Sequence, residues 1–295
     1  MNTTSATPQV VTEDLRRWIV AQAEAGCQPD AVLAAMRASG WDEDTAIDAM
    51  EATLRGRLQE LGKPIPAVLP DMPTTQQLPL PAPDLRDAPV RVHAGDRDVA
   101  IVMHMASPRV VVFGGLLSHE ECDELVAAAQ PRLLRSETVE NHSGGSEVNA
   151  ARTSDGMFFE RAQTPLIARI EERIAALLQW PVENGEGLQI LRYRPGAEYK
   201  PHHDYFDPAH SGTPKILQRG GQRVGTLVMY LNTPLRGGGT TFPDVGLEVA
   251  PVKGSAVFFS YDKPHASTRT LHGGAPVLEG EKWVATKWLR EGVFV

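Results

Sequence analysis

Apolar residues recur along this chain with two different periods, and the change between them divides it. Val11, Leu15, Trp18 and Ile19 fall on one face of a helix. Gln28-Pro29-Asp30 opens a second helix carrying Val32, Leu33 and Met36, which Gly40 ends. A third starts at Asp42, with Glu43 and Asp44 in a first turn that favours negative charge, and presents Ala46, Ile47, Met50 and Leu54. Prolines then crowd the stretch from about Gly62 to Val90 (Pro64, Pro66, Pro70, Pro73, Pro79, Pro81, Pro83 and Pro89), which favours an extended spacer over a helix or a ladder.

From about Val99 the pattern becomes one of short strands. Val110 to Phe113 reads as a buried strand, and Ser118 to Glu121 as a capping box ahead of a helix with Leu125 and Val126 on one face. Thr164 as N-cap and Pro165 at the first position start another, with Ile167, Ile170, Ile174 and Leu177 on one side. After Glu186 the chain is strand and turn, with strands expected at 188–194, 199–205, 223–231, 247–252, 254–261, 269–272 and 282–290. The expected organisation is a small helical domain over 1–61, a Pro-rich linker over 62–98 and a mainly β domain with flanking helices, of jelly-roll type, over 99–295. In size and pattern the three short helices with their Ser39-Gly40-Trp41 turn resemble ubiquitin-associated-type bundles, so a protein partner for them stands beside the plainer reading of a packed bundle with none.

Charge and cysteine content narrow the function classes. A net charge of -8 argues against a nucleic-acid or anionic-membrane partner, because both need a basic footprint. Cys27 and Cys122 are far apart and form no CxxC, which excludes a cysteine zinc site and a disulfide framework. With neither a signal-like first stretch nor an apolar run near the roughly 18 residues of a membrane span, a cytoplasmic location is expected.

The candidate chemistry sits at the end of Leu188 to Asp204. Neighbouring side chains on a strand face opposite ways, so His202 and Asp204 can grip one ion together while His203 looks away. One imidazole and one carboxylate make two thirds of the facial triad that holds non-haem Fe(II). After Asp204 the remaining histidines are His210, His265 and His272. His272 is the choice, because it ends a short expected strand whereas the other two lie in polar, Pro-containing loops.

At this point several motifs together resemble a known family. Arg-Tyr-Arg-Pro-Gly-Ala-Glu-Tyr-Lys-Pro-His-His-Asp (192–204), Gly237-Gly-Gly-Thr-Thr-Phe-Pro243 and His272-Gly-Gly-Ala-Pro-Val-Leu-Glu-Gly-Glu-Lys-Trp283 stand in the order found in prolyl 4-hydroxylases of the Fe(II)/2-oxoglutarate dioxygenase superfamily. The likeness runs from about Arg109 to Arg290. It implies a dioxygenase of the procollagen-proline 4-dioxygenase type, acting on a peptide or protein proline with Fe(II), 2-oxoglutarate, O2 and L-ascorbate. His202, Asp204 and His272 would hold the metal, Lys282 would pair with the far carboxylate of 2-oxoglutarate, and the Tyr193 and Thr240 hydroxyls would bond the same molecule. Arg152, Ser154, Glu186, Arg223 and Trp288 match substrate contacts of related members. Arg290 stands where a histidine is usual and Gly239 where most members have a glutamate. By strand alternation Lys282, Val284, Thr286, Trp288 and Arg290 share a face; Trp283 and Lys287 take the other, where Lys287 is expected to be an ordinary solvated lysine. The polar loop Asn141 to Asn149 and the segment Phe206 to Gly221 are candidate lids.

Three alternatives remain open at this level. Hydroxylation of a free amino acid or other small molecule fits the same fold. A nucleic-acid demethylase is disfavoured by the acidic balance. A metal-binding jelly-roll scaffold or sensor, working through residues 12–60, needs no turnover at all.

Overall fold

The computed structural model describes residues 11–27, 29–61, 80–135, 138–139, 146–147 and 153–295. The chain forms two compact units, Met1–Gln77 and Leu78–Val295. In the first, helices α1 (Glu13–Glu24), α2 (Pro29–Ala38) and α3 (Glu43–Glu60) bury Ile19, Val32, Met36, Ala46 and Ala49 between them. Thr12 accepts from the Leu15 N–H, and Asp42 from that of Thr45, so side chains satisfy the first free amides of α1 and α3.

The second unit is built on strands β1 (Arg91–His93), β2 (Asp98–Met105), β3 (Arg109–Gly114), β4 (Leu134–Arg135), β5 (Thr138–Val139), β6 (Ser146–Glu147), β7 (Asp155–Phe159), β8 (Leu188–Tyr193) and β9 (Tyr199–His202). These are followed by β10 (Arg223–Tyr230), β11 (Arg236–Gly237), β12 (Thr240–Phe242), β13 (Leu247–Val249), β14 (Ala256–Ser260), β15 (His272–Gly274), β16 (Val277–Glu279) and β17 (Lys282–Arg290). Helices α4 (His119–Ala129), α5 (Pro165–Leu178) and α6 (Thr213–Leu217) complete it.

An antiparallel sheet in the order β1-β2-β3-β14-β10-β17-β8-β7-β4 lies opposite a smaller one, β13-β12-β15-β9, in a jelly roll. The capping box at Ser118 and Glu121 starts α4, and Thr164 with Pro165 starts α5. Ile167, Ile170, Ile174 and Leu177 of α5 bury one face of the large sheet against Ile190, Leu227, Met229 and Ala285. On the other face Leu191, Tyr230, Phe242, Val257, Phe259 and Val284 fill the space between the two sheets. Strands covered on both sides bury every residue of β14 and β17, so β14 reads as a nearly continuous apolar run while β17 buries Lys282, Thr286, Lys287 and Arg290 among its apolar residues.

Three expectations change. The linker does not extend to 98: Leu80 packs on the core, the Ala82 N–H bonds the Leu178 carbonyl, Ala94 is buried, and β1 pairs with β2. A strand at 269–272 is absent; Ala266–Thr268 is a 3-10 turn ended by Arg269 in the left-handed region (φ 54), and the strand begins at His272. Lys287 is not solvated, because the face of β17 opposite the cavity lies under α5, where its ammonium donates to Glu171. Unforeseen elements include β7, β12, β16 and α6. The loop Asn141 to Asn149, apart from β6, and Arg152 lie outside the described residues.

Candidate active site

His202 ends β9 and His272 begins β15, directly opposite each other in the antiparallel register. Asp204 follows β9 by one residue beyond His203. The Nδ1 of His202 lies 2.8 Å from the Lys200 carbonyl and that of His272 2.9 Å from the Thr270 carbonyl. A carbonyl can only accept, so each Nδ1 carries the proton and each Nε2 turns a lone pair outward. Those two nitrogens stand 3.5 and 3.4 Å from Asp204 Oδ1 and Oδ2, and one ligand atom from each residue lies within 4.8 Å of the others. Two imidazole nitrogens and a carboxylate in this arrangement fit the donor set of Fe(II).

Electrostatics favour the ligand forms. Burial opposes ionisation of Asp204, but His272 and His202 hold its carboxyl well below the usual range. Burial and the neighbouring His272 push His202 down, towards the neutral imidazole that binds metal. Tyr199 stacks on the His202 ring at 3.7 Å between centroids, and Phe259 lies 4.4 Å from that of His272. Sequence reading missed the support behind Asp204. The Thr226 hydroxyl donates to Asp204 Oδ2 at 2.8 Å and lies 3.1 Å from the Tyr261 hydroxyl, so the carboxylate is held in orientation from below. Its only sequence signal was a threonine inside the apolar strand 223–231. His203 faces away as expected and stacks on Tyr205.

The three ligands line a cavity with Tyr193, Thr240, Lys282, Thr286 and Trp288, closed by Leu191, Val228 and Val284. Lys282 is 4% exposed, and among the described residues it makes no hydrogen bond or ion pair; its Nζ lies 5.5 and 5.8 Å from the rings of Tyr193 and Tyr230. Burial pulls it down to about 8, opposed only by Glu248. The Tyr230 hydroxyl donates to Thr240 Oγ1 at 2.8 Å, which leaves the Thr240 hydrogen free to be given elsewhere. A buried ammonium of this kind is costly unless an anion joins it, and a dicarboxylate reaching from the metal to Lys282 is such an anion.

The expected substrate residues divide. Trp288 lines the cavity, its indole Nε1 buried and without a partner among the described residues, and Ser154 is fully buried. Glu186, Arg223 and Arg290 form a closed cluster instead. Arg223 donates to both oxygens of Glu186 at 2.7 and 2.9 Å, while Arg290 Nε lies 2.8 Å from Glu186 Oε1 as an ion contact without hydrogen-bond geometry. The Arg223 guanidinium sits 4.1 Å over the Trp288 ring, and both arginines sit 4.8 Å from that of Phe206. Burial lowers Arg290 to about 10 against the pull of Glu186. None of these three charged residues lines the cavity, and Arg223 backs the Trp288 ring.

The 2OG-Fe(II) oxygenase superfamily model matches residues 188–290. Prolyl 4-hydroxylase 1 of Arabidopsis thaliana is 44% identical over 203 residues, which cover 63% of this chain and 70% of the relative. Prolyl 4-hydroxylase 5 of the same plant is 38% identical over 215 residues, covering 66% and 72%. Among solved structures, a viral collagen prolyl hydroxylase from Paramecium Bursaria Chlorella virus-1, in its 2OG complex, aligns with a TM-score of 0.48 at 30% identity over 61% of this chain and 95% of that one.

Proposed function

This chain belongs to the prolyl 4-hydroxylases of the 2OG-Fe(II) oxygenase superfamily, and from that premise we propose that it hydroxylates proline in a peptide or protein at the His202, Asp204 and His272 centre. The observation that carries the site assignment is Lys282, a buried ammonium without an acidic partner within hydrogen-bond reach, across one cavity from three metal-ligating atoms.

Bound Fe(II) with 2-oxoglutarate and O2 supplies the oxidising chemistry, in which one oxygen atom enters the proline and the other leaves in succinate, with release of carbon dioxide. The chain's part is to bind, orient and exclude water. His202, Asp204 and His272 would hold the metal through the two imidazole Nε2 atoms and the carboxylate. Lys282 would take the far carboxylate, with the Tyr193 and Thr240 hydroxyls completing its hydrogen bonds. Leu191, Val228 and Val284 keep that end dry, which strengthens each of those bonds. Trp288, held flat by Arg223, would offer its free Nε1 hydrogen to a carbonyl of the substrate backbone.

Mass spectrometry of proline-rich peptides and of free proline, incubated with Fe(II) and 2-oxoglutarate, tests the reading. A gain of one oxygen on peptidyl proline supports it; turnover of free proline with none of peptides overturns the substrate class. Asp204→Ala should abolish succinate formation, and persistence of turnover in that variant would reject the metal site. The proposal extends to L-ascorbate as the reductant, read by turnover with and without it. It also extends to the cytoplasm, whose reducing conditions preserve the exposed Cys27 thiol and which cell fractionation checks. For the helical unit we propose recruitment of the target protein: deleting residues 1–61 should raise KM for a protein substrate and leave that for a short peptide unchanged.

A further inference from the structure

The face of the large sheet that lines the cavity continues beyond it. Register carries two rows of residues outward. Val228 of β10 stands opposite Thr286 of β17, Thr286 opposite Gln189 of β8, and Gln189 opposite Phe158 of β7. In the row beside it, Val284 of β17 stands opposite Leu191 of β8, Leu191 opposite Gly156 of β7, and Gly156 opposite Leu134 of β4. Directly opposed residues share a sheet face, and Val228, Thr286, Val284 and Leu191 line the cavity, so Phe158 and Leu134 project on that same side. Met157 and Phe159 point the other way, into the core that α5 covers. A Cβ on Gly187, just before β8, would stand 3.8 Å from Phe158 Cδ1, so the ring lies beside bare backbone. Thr286, Gln189 and Leu191 are buried, whereas Phe158 is 49% and Leu134 76% exposed. The two rows thus run from a sealed cavity to an open apolar pair, with Gly156, which has no side chain, between them.

We propose that Phe158 and Leu134 form an apolar specificity subsite for the substrate polypeptide, one that holds a leucine-sized side chain three residues from the target proline. The proposal rests on the peptidyl-proline reading above and names a feature of the substrate. Thr286 on the cavity wall and Phe158 are two strand spacings apart, roughly 10 Å. A polyproline II chain advances about 3.1 Å per residue with three residues per turn, so the third neighbour of a proline at the metal centre both reaches Phe158 and points to the same side as the proline. Ser154, implied as a substrate contact, shares this face with Gly156 and Phe158 by strand alternation, which makes the subsite continuous with the cavity.

Hydroxylation rates of the full chain on paired proline peptides read the subsite. One member of each pair carries leucine three residues before or after the proline, and the other carries serine at that position. For one of the two placements, kcat/KM should favour leucine about tenfold, the scale of burying most of one apolar side chain. Phe158→Ser and Leu134→Ser should each cut that preference to about twofold or less, and Phe158→Leu should keep most of it. Both residues are exposed, so these variants keep the buried core. An equal loss on leucine and serine peptides would mark a structural role and overturn the inference. No preference for leucine at either placement would overturn it while peptidyl hydroxylation stands. A preference unchanged in both serine variants, with self-association of the chain lost, would give the face to a second copy and overturn it too. If free proline gains oxygen and no peptide does, the peptidyl-proline reading falls and this inference with it.

Discussion

Lys282 and Lys287 leave the same strand towards opposite faces, and both are nearly sealed from water, at 4% and 2% exposed. Lys287 points under α5 and meets Glu171, so its charge is closed within the chain. Lys282 points between the two sheets, its Nζ 5.5 and 5.8 Å from the Tyr193 and Tyr230 rings, and makes no hydrogen bond or ion pair among the described residues. Burial lowers the pKa of both, and Glu171 opposes it at Lys287 as Glu248 does, from the protein surface, at Lys282. The difference separates two uses of a buried cation. One is matched during folding and serves the fold; the other is left unmatched and waits for a ligand.

The largest expected effect is on the matched lysine. Lys287→Met leaves Glu171 buried without its cation and should cost about 3–5 kcal/mol of stability in denaturant unfolding. Pairing it with Glu171→Leu should recover most of that loss. Lys282→Met should do the reverse, leaving stability equal or higher while weakening 2-oxoglutarate binding by about a hundredfold, as for loss of a charged hydrogen bond of roughly 2–3 kcal/mol. If Lys282→Met unfolds the chain instead, the comparison fails. Next in size, Thr226→Val removes the hydrogen bond behind Asp204 and should weaken Mn(II) binding by about tenfold in a titration.

The smallest effect is one of pH. The native Lys282 ammonium titrates at about 8, below the ordinary 10.5, so across that window the unfolded chain holds more protons. Stability from this group therefore rises with pH from about 8 towards 10.5, while 2-oxoglutarate affinity falls, because binding must then recover a proton. Lys282→Met should flatten both trends in parallel calorimetric and unfolding measurements.

Where an inference depended on period or on local chemistry, the sequence carried it. His202 and Asp204 share a face by strand alternation, the Ser118 capping box needs only four residues in a row, and the isoleucines of α5 repeat at helical spacing. Inferences that depend on what crosses from another strand were hidden. Thr226 reads as one more residue of an apolar strand until β10 is laid beneath Asp204. Lys287 looked solvated because alternation gives the face but not what covers it, and that face lies under α5. The Glu186, Arg223 and Arg290 residues were found by resemblance; that both arginines converge on the one Glu186 carboxylate required their distances.

The facing register of His202 and His272 reaches beyond chemistry. Among the described strands β9 is the outermost of the small sheet, and its only strand neighbour there is β15. An ion held by both histidines ties that free margin to the body of the barrel, so occupancy of the centre and order of the margin become one linked equilibrium. Amide exchange along Tyr199–His202 should then slow when metal binds, more than exchange along β10 and β17. Linkage is reciprocal, so whatever pairs with the outer side of β9, a substrate backbone included, also changes how firmly the ion is kept.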